Sequence, residues 1–406
     1  RRVLFRSDRM IEYGKFLEKG MSGLGEIFNY GLVDTQEEGR KAGEWFNKNN
    51  VDLIFCHSGT YATSSTVLPV HQICKAPAII LNLQPTDRIN YEKTTTGEWL
   101  AYCGACPVPE ISNVFNRAGI KFRVVNGLLG LDYTPKISLA NENTSEKKEA
   151  IKAWKNINEW IRAASVIRKL KHSSFGFLGG YYSGMLDMYS DFAMIQAQTG
   201  MHIEMLEMCD LDKFLNDVTE DEVKEKMEEV LEMFEISGDS PSDPLAKKPT
   251  EHQIEWSCKI AAAQEKMVKE YNLDALTYYY HGSEGNHYEK VQSGFIVGHS
   301  LLTAKGIPCA GEGDLKTNLA MKISDILGVG GSFSEIVVID YVDGTIILGH
   351  DGPFHIAISN RKPILRGMGL YHGKRGTGVS VEAKVKTGDV TTLNVRSEER
   401  RVGKEC

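Results

Sequence analysis

The chain has 406 residues, 42% of them hydrophobic, and a formal net charge of −7. That length is enough for two or three domains with sizeable cores. The acidic balance excludes a basic nucleic-acid surface, and no apolar run approaches the roughly 20 residues that span a membrane. The first seven residues, RRVLFRS, and the last eleven, RSEERRVGKEC, resemble translated sequencing-library adapters and are set aside from fold reasoning. The natural stretch is then expected to run from Asp8 to Val395, with both ends arbitrary breaks and a formal charge of −11. Cys406 falls in the tail. The other seven cysteines are odd in number and scattered, a pattern that fits a reducing cytoplasm better than a disulfide framework.

Residues 8–143 read as an N-terminal α/β domain whose first strand is missing. Asp8 to Gly31 has weak periodicity and several Gly, and no element is assigned there. Thr35-x-x-Glu38 is a capping box opening a helix to about Asn47. Val51 to Cys56 reads as a buried strand and Thr63 to Cys74 as a helix kinked at Pro69. Ala78 to Leu83 is a second strand, Val108 to Ala118 a helix and Ile120 to Val125 a third strand. Strands alternating with helices imply a parallel, doubly wound sheet.

Residues 144–171 read as a connecting helix, rich in Lys, Glu and Ala, with Trp154 and Trp160 on it. The α/β pattern then restarts over 172–330. Strands are expected at Ser174 to Leu178, His202 to Met208, Ala275 to Tyr280 and Ile307 to Ala310. Helices are expected at Asp187 to Thr199, Thr219 to Phe234, Glu251 to Tyr271, Gly294 to Lys305 and Leu315 to Leu327. Ser237 to Pro249 reads as a loop. From Gly331 the helices stop, and residues 331–395 read as the start of a β-rich third domain, cut short. Asp343-Gly344 is its clearest hairpin signal. The expected fold class is thus α/β, with two doubly wound parallel-sheet domains and a truncated β-rich C-terminal domain.

The segment from Ile307 to His355 holds the chemistry. Glu312 follows a short apolar strand, between Gly311 and Gly313, with a helix beginning at about Asp314. Ligands bind at the carboxyl ends of strands in open α/β sheets. Glu335 follows Gly-Gly-Ser-Phe-Ser and opens a strand, and the return strand of the hairpin delivers His350. Two carboxylates and an imidazole suit Mn²⁺, Mg²⁺ or Co²⁺ better than structural zinc, which favours thiolates. Such a trio also recurs by chance, so spacing alone does not decide the matter.

The strings GEGDLKT, GGSFSE and LGH resemble the L-arabinose isomerase and L-fucose isomerase superfamily, more closely the arabinose branch. The resemblance implies that Glu312, Glu335 and His350 bind Mn²⁺ and that the two Glu also exchange protons with the sugar. The family has one residue between LG and its His, where this chain has none, so His355 is a second candidate ligand. The Gly-rich turn at Gly176 to Gly180 leads, by the same resemblance, to Met185 in the sugar pocket; a core methionine is the alternative. His57 matches a His that the family contributes to a neighbouring subunit's site, and a capping role is the alternative. The resemblance further implies a homo-oligomer, a hexamer, in the cytoplasm, with a free sugar as its small-molecule substrate. A fourth ligand, a distal His, is also implied. His372 in YHGKRGTG does not match its segment, so the chain as written is expected to be inactive.

Other signals weigh less. In the polar loop HGSEGNHYE, His281, Glu284 and His287 are candidates for substrate contact or a solvated face. Cys103-Gly-Ala-Cys106 is a lone C-x-x-C without a preceding thioredoxin-like strand, and Pro107 interrupts the helix pattern after it. The Gly176 turn departs from G-x-G-x-x-G, with Glu204 or Glu207 as the acidic partner that a dinucleotide site would require. Lys316 is expected to pair with Asp314 or solvent. The function expected is a metal-dependent aldose–ketose isomerase working through an ene-diol. The alternative is a non-catalytic sugar-binding or regulatory protein on a two-lobed α/β scaffold.

Overall fold

The structure is a computed structural model and describes residues 7–135, 143–242, 246–283, 285–368 and 378–396. The chain forms two compact units, Arg1–Arg168 and Lys169–Cys406.

The first unit opens with a helix, α1 (Ser7–Met21), where the sequence offered no assignment. Its buried Met10, Tyr13, Leu17 and Met21 recur at helical spacing. In α2 (Gln36–Lys48), Thr35 caps the helix by accepting from the Glu38 amide at 3.1 Å. The reciprocal half of the expected box is not made, because the Glu38 carboxylate accepts from the Tyr30 hydroxyl at 2.8 Å. The remaining elements are β1 (Ile54–His57), α3 (Ser64–Ile73, with Pro69 inside), β2 (Ala78–Gln84), α4 (Thr96–Ala101), α5 (Pro107–Arg117), β3 (Phe122–Leu128) and α6 (Lys148–Lys171). The strands form a parallel sheet in the order β1-β2-β3.

Side chains of β2 alternate between two cores, as a strand's two-residue period requires. Ile79, Leu81 and Leu83 pack with α1 and with Ala153 and Ile157 of α6. Ala78 and Ile80 pack with Val67, Val108, Ile111 and Phe115. A strand covered on both faces is what a continuous apolar run in a parallel sheet encodes. Gly39 and Gly43 let α2 close on α3, since a Cβ at Gly39 would meet the Thr66 carbonyl oxygen at 2.3 Å.

The second unit has a four-stranded parallel sheet, β4 (Ser174–Gly179), β5 (His202–Leu206), β8 (Ala275–Tyr279) and β9 (Cys309–Ala310), in the order β5-β4-β8-β9. Around it come α7 (Phe192–Thr199), α8 (Met208–Asn216), α9 (Glu220–Met233), α10 (Glu251–Glu270), α11 (His287–Gln292), α12 (Phe295–Ala304) and α13 (Leu315–Ile326). Leu178, Leu206, Leu211, Ile260, Met267, Leu276 and Phe295 are joined in one core. Two expectations need correction here. The helix expected from Asp187 starts only at Phe192, because Asp191 caps it by accepting from the Met194 amide at 2.9 Å. The strand expected to reach Met208 stops at Leu206, because Glu207 and Asp210 form a reciprocal capping box that opens α8.

After Gly331 the chain turns to strands, as read. A hairpin of β10 (Glu335–Asp340) and β11 (Thr345–Gly349) turns through Asp343-Gly344, with Gly344 at φ 63. The next strands, β12 (Ile364–Met368) and β13 (Val379–Glu382), are not separate from the second unit. Strands β6 (Glu235–Ile236) and β7 (Ala246–Lys247) pair with β12. Both sit at the edges of the stretch read as a loop, where two-residue strands carry no detectable period. Val379 and Leu365 are buried against Val297 and Leu301 of α12.

Candidate functional site

The chain leaves β4 toward β5 on one side and returns to β8 on the other, so the winding reverses between β4 and β8. Open α/β sheets bind ligands at such a switch point, outside the carboxyl ends of the strands. Three loops meet there. After β4, the Gly180 amide donates to the Tyr279 carbonyl at 2.8 Å, and the Tyr182 amide donates to the Glu312 carbonyl at 2.9 Å. After β9, the Gly313 amide donates to the Tyr278 carbonyl at 2.9 Å. Gly313 has φ 71, and a Cβ on it would meet the Gly180 carbonyl oxygen at 2.4 Å. Only glycine permits both that conformation and that approach.

Glu312 sits at the centre of this cluster. Its φ of 61 is left-handed, a conformation that costs a non-glycine residue about 1–2 kcal/mol. Strain of this kind persists where the surroundings over-determine it, and it concentrates at functional sites. The residue is 8% exposed. Burial pushes its carboxyl above the usual carboxylate range, and the charges of Glu335, Asp314 and Asp187 push the same way. Asp314 itself caps α13, accepting from the Thr317 amide at 2.9 Å.

His350 follows β11 and brings its Nε2 to 3.9 Å from Glu312 Oε2. The Phe333 ring lies edge-on to it, with centroids 4.2 Å apart. Glu335 is paired across the hairpin with Gly349, the residue before His350, so register alone brings the second carboxylate to the same end. Glu335 is exposed, at the margin of the Glu312–His350 pair.

The other candidates fall into three groups. Met185 is half-buried in the turn after Tyr182, its amide donating to the Tyr182 carbonyl at 3.0 Å, within the loop that touches Glu312. His281, just after β8, stacks on the Tyr279 ring and lies 3.3 Å from its hydroxyl through Nδ1. His355 is in another place. The helix α13 is 12 residues, about 18 Å, long, and His355 packs by Gly330 at its far end, within electrostatic reach of Asp325. Burial pulls His355 below the usual imidazole range. His350 is therefore the imidazole that meets Glu312. His57 ends β1 in the first unit, where burial pulls it down to about 4 against the pull of the Leu83 carbonyl. Glu284 and His372 lie outside the described residues. His287 pairs with Asp212 at 2.7 Å, Glu204 with His202 at 3.0 Å, and Glu207 is the cap of α8.

Several participants were not anticipated. Lys316 pairs with neither Asp314 nor solvent alone; it donates to the carbonyls of Asp187 and Tyr189, the latter at 3.2 Å. It ties the loop after β4 to α13. Tyr182 and Tyr279 face each other with ring centroids 5.1 Å apart, and burial raises the Tyr279 hydroxyl, with Tyr182 and Glu312 pushing the same way. The signal for Tyr279 was its position as the last residue of a strand in an open sheet. No local signal marks Tyr182.

The donor set, buried carboxylate, second carboxylate and imidazole, fits a hard divalent cation in kind. Relief of the repulsion between Glu312 and Glu335 is what such a charge supplies. Among the described residues, no three His, Cys, Asp or Glu side chains are gathered closely enough to hold one as they stand.

Strand order and loop cluster define an α/β protein whose loops gather at the switch point of its second sheet. Residues 190–330 match the family model of the L-arabinose isomerase central domain. The chain is also 26% identical over 194 residues to an L-arabinose isomerase from Geobacillus thermodenitrificans (strain NG80-2), a match covering 47% of this chain and 37% of that protein. Residues 190–330 are thus similar to the central domain of L-arabinose isomerases, and the match spans little more than a third of that relative's length. Glu312 falls inside the matched stretch, while Glu335 and His350 lie beyond residue 330.

Proposed function

We propose that the chain is a metal-dependent aldose–ketose isomerase of the arabinose or fucose type, acting on a free sugar through an ene-diol. The observation that carries this reading is Glu312, a buried carboxylate held in a strained left-handed turn at the carboxyl end of β9, against His350. Isomerisation moves a hydrogen between C1 and C2 and a proton between their oxygens. That exchange requires a carboxylate able both to take and to return a proton. Glu312 and Glu335, brought to one end of the site by separate elements, are assigned to it. A divalent cation held by Glu312, Glu335 and His350, Mn²⁺ with Mg²⁺ or Co²⁺ as substitutes, would polarise the C1 and C2 oxygens. Tyr182, Tyr279 and Met185 present apolar surface to the sugar's C–H face and exclude water. His281 is assigned to a sugar hydroxyl, as is Glu284 by its place in the loop. Assembly into a homo-hexamer, in which His57 serves a neighbouring site, and a cytoplasmic setting belong to the same proposal.

The test is ketose formation by a full-length version of the protein from a panel of aldopentoses and 6-deoxyhexoses, with and without Mn²⁺. In that full-length version, Glu312→Gln and Glu335→Gln should each remove nearly all Mn²⁺-dependent turnover. Turnover equal to the parent in either variant would overturn the assignment. Sugar binding unaffected by chelator, with no ketose formed, would favour a non-catalytic sugar binder instead.

A further inference from the structure

We propose that Cys103 and Cys106 form a dithiol redox site, closed to an intramolecular disulfide by low-molecular-weight disulfides. The sequence objection was Pro107. In the structure Pro107 is the first residue of α5, where proline's fixed φ favours the helix and its missing N–H costs nothing. The pair therefore sits in a turn directly before an 11-residue helix, with Cys106 as the cap residue. Cys106 is exposed and lies near enough to the half-buried Cys103 for the two thiols to interact. Elsewhere in the first unit Cys56 and Cys74 lie within apolar clusters, burial raising the Cys56 thiol to about 11. In the second unit Cys258 and Cys309 are buried, and exposed Cys209 lies in the first turn of α8.

The step balances without further reagents. The Cys106 thiolate attacks one sulfur of a disulfide RSSR and expels RS⁻. The Cys103 thiolate then attacks Cys106 Sγ in the mixed disulfide and expels the second RS⁻. Two protein thiols are oxidised, RSSR is reduced to two thiols, and the two protein protons end on the released thiolates.

The turn is also wired to a candidate site residue. Ser58 Oγ donates to the Gly104 carbonyl at 2.6 Å, and a Cβ at Gly104 would meet the Ser58 carbonyl oxygen at 2.2 Å. Ser58 is the residue after His57, and Gly59 packs against the His57 ring, a Cβ there lying 3.1 Å from its Cε1. Closing the ring changes the turn that Ser58 grips, so oxidation reports at residues 57–59.

The experiment equilibrates the full chain with glutathione and glutathione disulfide at graded ratios, then alkylates with iodoacetamide and maps the peptides by mass. At the oxidised end the chain should lose two reactive thiols, both in the Cys103–Cys106 peptide, recovered by dithiothreitol. Hydrogen exchange over residues 57–61 should change with them. Cys103→Ser should instead hold one glutathione on Cys106, and Cys209→Ser should match the parent. The proposal fails if both thiols stay alkylatable in glutathione disulfide alone, or if the parent accumulates the glutathione adduct. The parent chain decides this even if Cys103→Ser does not fold.

Discussion

Glu312 joins the proposed chemistry and backbone strain at a single position. Its left-handed backbone and buried, repelled carboxylate are both destabilising, so removing them relieves the fold. Glu312→Gly should raise unfolding free energy by about 1 kcal/mol in urea titration while eliminating sugar turnover. A variant that is less stable than the parent would show that the side chain holds the loop together. Gly313 is the opposite case. Gly313→Ala forces a left-handed alanine and drives its Cβ toward the Gly180 carbonyl, and a loss of about 2 kcal/mol or more is expected in the same titration. His350 and His355 separate by readout. Calorimetric Mn²⁺ titration should weaken for His350→Ala and stay unchanged for His355→Ala, whose loss should appear as a lower melting temperature from the vacated buried ring.

At the scale of elements, helix ends set where structure starts. Thr250 and Gln253 make a complete capping box on α10, with the Thr250 amide donating to Gln253 Oε1 at 2.9 Å and the Gln253 amide donating to Thr250 Oγ1 at 3.2 Å. Helix α10 carries ten buried residues through the second unit. Thr250→Ala should cost about 1 kcal/mol of unfolding free energy, with no effect on metal titration because α10 supplies nothing to the Glu312 cluster. Such boxes are legible in sequence, being four residues long. The Thr35 box read the same way yet formed only by half, because Tyr30 drew off the Glu38 carboxylate. The hairpin β10–β11 was legible through Asp343-Gly344, and its register delivers Glu335 and His350 to one end.

For the whole molecule, buried imidazoles set the response to acid. His71 in the first unit and His299 in the second are pulled by burial to about 4 and about 3. Both lie against aromatic rings, His71 on Phe115 and His299 on Tyr278 and Phe295. Imidazoles in the unfolded chain titrate near 6.5. Between those values the unfolded state binds more protons, so stability is full above about pH 6.5 and is lost as pH falls toward 4. The urea midpoint should drop steadily from pH 7 to pH 4.5. A flat profile would mean that these rings are solvated when folded.

By itself the sequence determined the alternation of strand and helix, the parallel character of both sheets and the glycine-flanked turn at Glu312. Each of these is encoded within a few neighbouring residues, as a two-residue period, a cap or a positive-φ glycine. It did not determine which loops meet. Lys316 reaches the Asp187 carbonyl across 129 positions of chain, and Tyr182 meets Glu312, only because β8 inserts beside β4 and places β9 at its far edge. Strand order arises from how apolar faces share one core, a sum over many distant contacts that no short segment carries. The choice of His350 over His355 has the same origin. Both follow the same hairpin within six residues, but packing turns one toward Glu312 and the other toward the far end of α13.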